Sequence, residues 1–308
     1  MSLLFGPVFS RRLGRSLGFD LVPYKICSMN CIYCEVGRTT FLTVERAAYV
    51  SWDKIKKALK EAAEMERSFD VLTFSGSGEP TLNIYFEKVV SEARKIIQKP
   101  IAVLTNSSFV WLSSVRKALE KVDFVLASLD SVRKESFIKV NRPHPGVPLN
   151  KIVEGLKLLR EKMQGKLLLE VLFVKGVNDS EEDIEVLNKT LIYINPHKVQ
   201  LNTVVRPPAE KGVEPVSFSF LQKVAERFEV PAEVIVSSSA VPQEDSELSE
   251  EELIPRIIEY LKRRPAPADE LARAFPSAKN FMNSVIEKLL SQGRIKTVFH
   301  QDKAYYVA

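Results

Sequence analysis

The sequence predicts an α/β fold, a mostly parallel sheet or open barrel followed by a small second domain. Between residues 18 and 240, short apolar runs rich in β-branched residues alternate with segments whose apolar residues recur every three or four positions. This alternation is typical of βα units, whose crossovers place successive strands side by side in parallel. A chain of 308 residues also exceeds the usual size of one core, so two domains are expected.

The candidate elements follow in chain order. Strands are predicted over residues 19–24, 70–76, 101–106, 122–130, 166–174, 198–205 and 232–238, and helices over 53–66, 85–98, 149–163, 181–194 and 218–228. Folds of this kind bind their ligands at the carboxyl ends of the strands. Polar residues directly after a predicted strand are therefore candidate site residues.

The chain divides near residue 240. Residues 239–250 are polar and acidic without apolar periodicity, which predicts a domain over 1–240, a linker over 241–250 and a second domain over 251–308. The second domain is predicted to hold three helices (251–264, 267–275 and 277–293) and two strands (295–301 and 303–308), with Asp302 at the turn. That order resembles a winged helix, whose reading surface would be residues 277–292.

Composition narrows the class of protein. No apolar run approaches the ~20 residues needed to span a bilayer, and the first residues lack the pattern of a signal peptide. We expect a cytoplasmic protein without a membrane partner. The net charge of +5, from 44 basic and 39 acidic residues, is compatible with a nucleic-acid partner, and equally with an ordinary basic protein.

The three cysteines carry the chemistry. Cys27, Cys31 and Cys34 lie within eight residues and are the only cysteines of the chain, which excludes a disulfide framework. Three thiolates on one loop can hold three irons of a 4Fe-4S cluster and leave the fourth iron open to a small ligand, which favours catalysis. The alternatives are a zinc site completed by His144, His197 or His300, or three unrelated buried cysteines.

The spacing C-x3-C-x2-C, with Tyr33 directly before the third cysteine, resembles the radical SAM superfamily. The resemblance implies a partial (β/α)6 barrel, a 4Fe-4S cluster on the three cysteines and S-adenosylmethionine (SAM) as the second cofactor. It also implies reductive cleavage of SAM to a 5'-deoxyadenosyl radical, with the electron supplied by an external donor of the flavodoxin or ferredoxin type.

Candidate SAM contacts follow from the same resemblance. The stretch Gly76-Ser77-Gly78-Glu79-Pro80 stands where the superfamily has Gly-Gly-Glu-Pro, which binds the methionyl amino group. The two glycines permit close backbone approach, and Glu79 can accept from an ammonium group. The alternative is a Gly-Ser turn between a strand and a helix.

Four further residues complete the candidate site. By resemblance, Asn106, Ser128 and Asp130 reach the methionine carboxylate and the ribose, and Tyr33 lies near the adenine. Helix caps or Asx turns, and an ordinary packing role for the tyrosine, remain open as alternatives.

Within the superfamily, residues 6–18, the loop 33–38 and the Gly-Ser-Gly-Glu-Pro-Thr-Leu stretch look like uncharacterised iron-sulfur oxidoreductases related to wyosine synthases. Those synthases modify a guanine of transfer RNA and carry a second iron-sulfur cluster, for which this chain has no cysteines left. The fold and SAM cleavage are therefore expected to transfer, and the wyosine reaction is not.

Three functions follow from these observations. The first is modification of a nucleic-acid base, foremost in transfer RNA, and the second is activation or modification of a protein or peptide; in either, residues 251–308 would hold the RNA or peptide. The third is a redox-sensing winged-helix regulator, against which Gly-Ser-Gly-Glu-Pro counts because a sensor needs no SAM site. Basic residues near the cysteines would attract an anionic substrate or the electron donor, or simply form a solvated face: Arg11, Arg12, Arg15, Lys25 and Arg38.

Overall fold

The computed structural model describes residues 2–10, 12–235, 250–275, 278 and 280–308. The chain opens with an antiparallel pair, β1 (Leu4–Ser10) and β2 (Gly14–Phe19), and a two-residue ladder follows, β3 (Ile26–Cys27) beside β4 (Phe41–Leu42). The segment between β2 and β4 contains all three cysteines. We call residues 20–42 the cluster loop.

Alternating helices and strands build the rest of the first domain. In chain order they are α1 (Trp52–Glu64), β5 (Val71–Phe74), α2 (Phe86–Ile96), β6 (Ile101–Thr105), α3 (Ser113–Leu119), β7 (Phe124–Ser128), α4 (Lys134–Asn141), α5 (Leu149–Lys162), β8 (Lys166–Phe173), α6 (Glu181–Ile194), β9 (Lys198–Thr203), α7 (Phe218–Arg227) and β10 (Ala232–Val234). The prediction of an α/β fold with a mostly parallel sheet is confirmed.

The sheet runs in the order β1-β2-β5-β6-β7-β8-β9-β10, and every pair except β1 with β2 is parallel. Because parallel crossovers are almost always right-handed, a strand order that follows the chain places the helices on one face of the sheet. The other face is then free to line a cavity.

A salt bridge shows that the sheet curls. Arg12, in the turn between β1 and β2, donates to both carboxylate oxygens of Glu170 on β8 at 3.0 and 2.7 Å. In a flat sheet, β2 and β8 would stand four strand spacings apart, roughly 19 Å, which an arginine side chain does not span. The sheet therefore bends round towards a barrel.

Strand β8 shows how the sequence produces two different faces. Its buried residues alternate with partly exposed ones, so that Leu167, Leu169, Val171 and Phe173 pack into the main apolar core. Successive side chains of a strand point to opposite faces, so Glu170 lies on the face that lines the cavity. This alternation places a carboxylate inside the curled sheet without placing it in the apolar core.

One predicted strand of the first domain is wrong, and several of its observed elements were not predicted. The strand predicted over 19–24 is wrong, because β2 ends at Phe19 and the following residues turn into the cluster loop. Strand β1 was missed because Gly6 and Pro7 interrupt it, and its register shifts at that point. Helices α3 and α4 were also missed, and each is short, at seven and eight residues.

The described residues between 250 and 308 have their own apolar core; their assignment as a second domain stays a prediction, and we keep that name for them. These residues form α8 (Glu250–Arg263), α9 (Ala268–Ala274), α10 (Met282–Ser291) and an antiparallel hairpin of β11 (Lys296–His300) and β12 (Lys303–Val307). Three helices followed by a hairpin were expected, and Ala266 adds an isolated bridge to Tyr306. The identification as a winged helix stays a prediction. The predicted linker, apart from residue 250, and residues 277 and 279 of the predicted reading surface lie outside the described residues.

Two buried arginines join the domains. Arg263 of α8 donates to Asp20, which directly follows β2, at 3.3 Å. Arg206, after β9, donates to the carbonyl of Pro265 at 2.6 Å and to Glu270 of α9 at 2.8 and 3.1 Å. The second domain is therefore held at the carboxyl ends of the strands. In the described residues, no helix combines the length and apolarity required to cross a membrane.

We predict that Arg263→Met lowers the free energy of unfolding by about 3–5 kcal/mol, because Asp20 would remain buried without its cation. Burial already raises the pKa of Asp20, despite its hydrogen bonds from Ser77 and the charge of Arg263. Urea unfolding measures this loss in the single variant. The double variant Asp20→Asn/Arg263→Met, which removes the unpaired charge, should recover most of the lost free energy of unfolding. Arg227→Met breaks an exposed pair with Glu181 and serves as the control, expected to cost less than about 1 kcal/mol. If Arg263→Met and Arg227→Met lower the free energy of unfolding equally, the contact between Arg263 and Asp20 does not contribute as a buried ion pair.

Candidate functional site

The three cysteines lie together in the cluster loop at the carboxyl end of β2. Cys27 ends β3, and the loop continues through Cys31 and Cys34 before it returns at β4. All three are half-buried and free of disulfides. Their thiols are thus available to bind iron.

Each cysteine sulfur accepts from a side-chain N–H donor, and these three donors come from different parts of the chain. The Nδ2 of Asn106 and the Nδ2 of Asn141 lie 3.4 Å from the sulfurs of Cys27 and Cys31, respectively. The Nζ of Lys25 lies 3.0 Å from the sulfur of Cys34. Such donors stabilise negative charge on thiolate ligands of a metal group. Asn141 was missed at the level of sequence, since nothing near it indicates a metal site.

The surroundings of Cys27 and Cys31 disfavour the thiolate form of these two side chains. Burial, followed by the charge of Glu79, raises the pKa of Cys27 to about 11. Burial, followed by the charge of Asp130, raises the pKa of Cys31 further. Burial opposes the charge of Lys25, yet the neighbouring Cys34 raises the pKa of that lysine overall. Iron binding must therefore displace protons from these thiols, and the positive metal ions provide the compensating charge.

The donor set fits an iron-sulfur cluster. In the described part of the chain, no three His, Cys, Asp or Glu side chains converge closely enough to hold one metal ion. The cysteines of a 4Fe-4S cluster each bind a different iron, so their sulfurs need not converge on a point. Three free cysteines on one loop, each with an N–H donor to its sulfur, meet the requirements of such a cluster.

The glycine turn after β5 packs tightly against the cluster loop. Gly76 has a φ of 148°, and a Cβ at this position would collide with the carboxylate of Asp20. A Cβ on Gly78 would collide with the carbonyl oxygen of Ile26, the residue before Cys27. Asp20 fixes the turn by accepting from the backbone N–H and the hydroxyl of Ser77 at 2.9 and 2.6 Å. The Asp20 role was missed because this residue lay inside a predicted strand.

Glu79 is buried, and both of its carboxylate oxygens are engaged within the protein. Oε1 accepts from the hydroxyls of Thr81 and Thr105 at 2.5 and 2.8 Å, and Oε2 accepts from the backbone N–H of Asn106 at 2.7 Å. Pro80 begins the short 3-10 helix that Glu79 caps. The carboxylate thus links the turn after β5 to the end of β6. A direct contact from Glu79 to the SAM amino group stays a prediction.

Asn106 forms the Asx turn that was considered as an alternative for it, and it also makes contacts that the sequence did not indicate. Its Oδ1 accepts from the N–H of Ser108 at 3.0 Å, which is an Asx turn, while its Nδ2 faces Cys27 and the Ser28 hydroxyl, the latter at 3.0 Å. The residue is therefore a turn former that also touches the cluster loop. Whether it reaches the methionine carboxylate of SAM stays a prediction.

Asp130, which follows β7, connects the cluster loop to the sheet. Its Oδ2 accepts from the Tyr33 hydroxyl at 2.5 Å and from Nδ2 of Asn141 at 2.6 Å, and its Oδ1 accepts from the N–H of Leu172 at 2.9 Å. Burial raises the pKa of Asp130 to about 6, although these donors favour the charged form. Tyr33 is held in place by this bond, beside the cavity and next to Cys34.

A cavity of about 350 Å³ lies inside the curled sheet. Each of the strands β2 and β5–β9 contributes a side chain to its wall, and the cluster loop contributes Tyr33, Cys34 and Glu35. The strand residues that line it include Ser16, Thr73, Leu104, Ser128, Glu170 and Asn202. The candidate residues Tyr33, Gly76, Ser128 and Asp130 meet in this one cavity, beside a candidate cluster ligand.

The second domain closes one side of this cavity. Tyr260, Arg263 and Arg264 belong to its wall. Arg206 connects the two parts chemically, because its guanidinium lies 3.3 Å from Glu35, the residue after Cys34, and 2.8 Å from Glu270. A substrate in the cavity would therefore contact both domains.

The basic residues that precede and follow the cysteines do not form one solvated patch. Arg12 pairs with Glu170 inside the sheet, Arg15 pairs with Asp70, and Lys25 is buried. Arg38 is exposed. Arg11 lies outside the described residues.

A parallel sheet that carries a three-cysteine cluster loop at the carboxyl ends of its strands defines the class of an iron-sulfur α/β enzyme. A family model described as the radical SAM superfamily matches residues 21–187. The chain belongs to the radical SAM superfamily. Enzymes of this superfamily use a 4Fe-4S cluster and SAM and receive the electron from an external donor.

Similar proteins agree with this assignment. A UPF0026 protein of Methanocaldococcus jannaschii is 33% identical over 310 residues, which cover 100% of this chain and 96% of that protein. A more distant relative, a probable dual-specificity RNA methyltransferase RlmN of Flavobacterium psychrophilum, is 25% identical and covers 57% of this chain and 52% of that protein. A solved structure of TYW1 with a lysine-pyruvate adduct is similar in fold, with a TM-score of 0.51 and 18% identity over 70% of this chain and 73% of that one.

We predict that Gly78→Ala lowers the free energy of unfolding by about 3 kcal/mol or more, because the added methyl group meets a backbone carbonyl that cannot rotate away. Iron bound after reconstitution should fall as well, because a shift of Ile26 displaces Cys27. Gly176→Ala is the matched control, since that glycine has a φ of 72° with nothing within 4 Å and should cost only about 1 kcal/mol. Urea unfolding and iron analysis measure both effects, and normal iron content in Gly78→Ala would contradict the contact.

We predict that the iron-free protein loses stability relative to its Asp130→Asn variant as the pH rises from 4 to 7. The folded-state pKa of Asp130, about 6, lies above the ordinary value of 3.8, so the folded state binds the extra proton within this window. The difference in unfolding free energy should change by up to about 3 kcal/mol in favour of the variant. Urea unfolding at a series of pH values tests this expectation, and a constant difference would contradict it.

Proposed function

We propose that the protein uses Cys27, Cys31 and Cys34 to hold a 4Fe-4S cluster at which SAM is reductively cleaved, and that it acts on a nucleobase of an RNA. The observation that carries the radical chemistry is the set of three free cysteines, each with an N–H donor, beside the cavity of the curled sheet. When bound, the cluster and SAM supply a 5'-deoxyadenosyl radical by one-electron cleavage.

The chain contributes binding, orientation and exclusion of water. Asn106, Asn141 and Lys25 donate to the cysteine sulfurs and stabilise their charge. We place SAM against the glycine turn and the ends of β6 and β7, where the contacts would come from Tyr33, Gly76, Ser77, Gly78, Glu79, Pro80, Asn106, Ser128 and Asp130. Because the carboxylates of Glu79 and Asp130 are engaged within the protein, their main role is to fix the backbone that meets the ligand.

The cavity supports a small substrate group. At about 350 Å³ it lies at the low end of ordinary ligand sites, roughly 300–1,000 Å³, so that only a small group of a larger substrate would enter it. A base inside a helix would have to leave its stack to enter, as in other enzymes that act on bases. The relative named as an RNA methyltransferase and the net charge of +5 also support an RNA substrate.

A protein or peptide is the second candidate substrate, and one observation favours it. Strand β11 forms an edge of the hairpin in the second domain, and Phe299 on this strand is strongly exposed. A peptide can add to such an edge through backbone hydrogen bonds. In either case we propose that residues 251–308 hold the substrate as a winged-helix module.

We predict that anaerobic reconstitution, reduction with dithionite and addition of SAM yield 5'-deoxyadenosine, and that Cys31→Ala abolishes its formation. Chromatography measures the product, and the spectrum of the reduced cluster should change when SAM is added. If the cluster assembles but neither responds to SAM nor supports formation of 5'-deoxyadenosine, the proposed enzymatic function is wrong. An iron-sulfur sensor would then be the better interpretation. Incubation with transfer RNA, followed by nucleoside mass spectrometry, tests the substrate, and unmodified nucleosides alongside active SAM cleavage would favour the peptide.

A further inference from the structure

The outer face of the cluster loop carries exposed apolar side chains. Tyr24 is 45% exposed, Phe41 52% and Leu42 38%. The two stretches of chain that carry them lie side by side. The Thr40 hydroxyl donates to the carbonyl of Tyr24 at 3.4 Å, and the Phe41 N–H donates to the carbonyl of Lys25 at 3.2 Å. Apolar patches rimmed by polar residues mark sites of interaction on protein surfaces.

This face is the surface that lies directly behind a candidate cluster ligand. In the β3–β4 ladder, Leu42 pairs with Cys27 and Phe41 pairs with Ile26. The N–H of Thr43 also donates to the carbonyl of Cys27 at 3.0 Å. Neighbouring strands lie about 4.8 Å apart, so a molecule seated on Phe41 and Leu42 is one strand away from Cys27.

Cations outnumber carboxylates around the outer face. Arg38 and Arg142 share Glu210 at 2.7 and 2.8 Å. The Arg142 carbonyl accepts from Asn30, whose side chain accepts from Thr39, so both arginines stay beside the loop. Beside the cluster loop, two arginines therefore share a single carboxylate, which leaves one positive charge uncompensated within this group.

Other residues of the cluster loop face the cavity in which the substrate is proposed to bind. Tyr33 and Cys34 face the cavity, whose wall is completed by Tyr260 and Arg264 of the second domain. A carrier protein seated on the outer face would therefore leave the cavity free for SAM and the substrate. Since electron transfer slows steeply with distance, the donor must approach close to the cysteines.

We propose that the outer face of the cluster loop is the docking site of a small acidic one-electron carrier protein. This inference rests on the proposed function, since it concerns reduction of the same cluster. The carrier is oxidised by one electron and the cluster is reduced by one, and no atom is transferred. Opposite charge steers the encounter, and the apolar side chains of Phe41 and Leu42 provide the buried contact.

The experiment reduces the reconstituted holoenzyme in three separate reactions, with photoreduced flavodoxin, with reduced ferredoxin and with dithionite. Phe41→Ser and Leu42→Ser should each weaken flavodoxin binding, measured by calorimetry, and slow cluster reduction, measured by stopped-flow absorbance, by about tenfold. Arg38→Gln should slow reduction several-fold at low salt, and the difference should vanish at high salt. Dithionite needs no docking, so its reduction of every variant should match the wild type.

Matched control variants lie in the last turn of α2, which leads into the amino end of β6, whereas the cluster loop follows the carboxyl end of β2. Ile96 is 40% exposed, close to the value for Leu42, and Ile96→Ser should leave flavodoxin binding unchanged. The side chain of Lys95 is 66% exposed and pairs with Glu92 at 2.7 Å, as that of Arg38 is 68% exposed and pairs with Glu210 at 2.7 Å. Lys95→Gln therefore removes one paired surface cation, as Arg38→Gln does. It should leave the rate of cluster reduction by flavodoxin unchanged.

The outcomes separate this inference from the proposed function. Normal carrier binding and reduction in Phe41→Ser and Leu42→Ser would overturn the docking site, as would wild-type protein that dithionite reduces but neither carrier does. A wild-type protein that forms no 5'-deoxyadenosine even with dithionite would instead overturn the proposed function.

Discussion

The arrangement of the site depends most on the hydrogen bonds that the buried carboxylate of Asp130 accepts. This carboxylate accepts from Tyr33 in the cluster loop, from Asn141 at the end of α4 and from the backbone of β8. Its own carbonyl accepts from Asn178, after β8, at 2.8 Å. Asp130 thus connects the end of β7, which it follows, to the cluster loop, to the end of α4 and to β8. The cost is visible in its raised pKa, because burial disfavours the charge that these donors require.

The cluster loop needs such support because it contains little regular structure. Between β2 and β4 its hydrogen bonds run mainly to other elements, including Asn30 to Asn141 and Ile32 to Val140. The glycine turn presses against it from β5, and Asp20 holds that turn. Rigid strands and helices therefore position a loop that could not position itself. This is the usual division of labour between a scaffold and the loops that carry its chemistry.

The second domain belongs to the same arrangement. Arg263 contacts the carboxylate that fixes the glycine turn, and Arg206 lies between Glu35 and Glu270. Two buried cations thus join the second domain to the glycine turn, through Asp20, and to the cluster loop, through Glu35. Substrate held by residues 251–308 would be connected to the cluster through a few charged contacts, each costly to break because its partners are desolvated.

The sequence by itself determined the parallel α/β class, five long helices and the cysteine loop, because periodicity and ligand spacing are local properties. It also pointed to the stretch from Gly76 to Pro80 and to Asp130. Only the tertiary structure decided which atoms those side chains meet. Asn141 touches Cys31 from 110 residues away, and Arg12 lies inside the sheet against Glu170 rather than in solvent. Asp20 became a partner of Ser77 and Arg263. Such pairings depend on how strands are ordered and how the sheet curls, and a linear pattern of residue types does not contain that information.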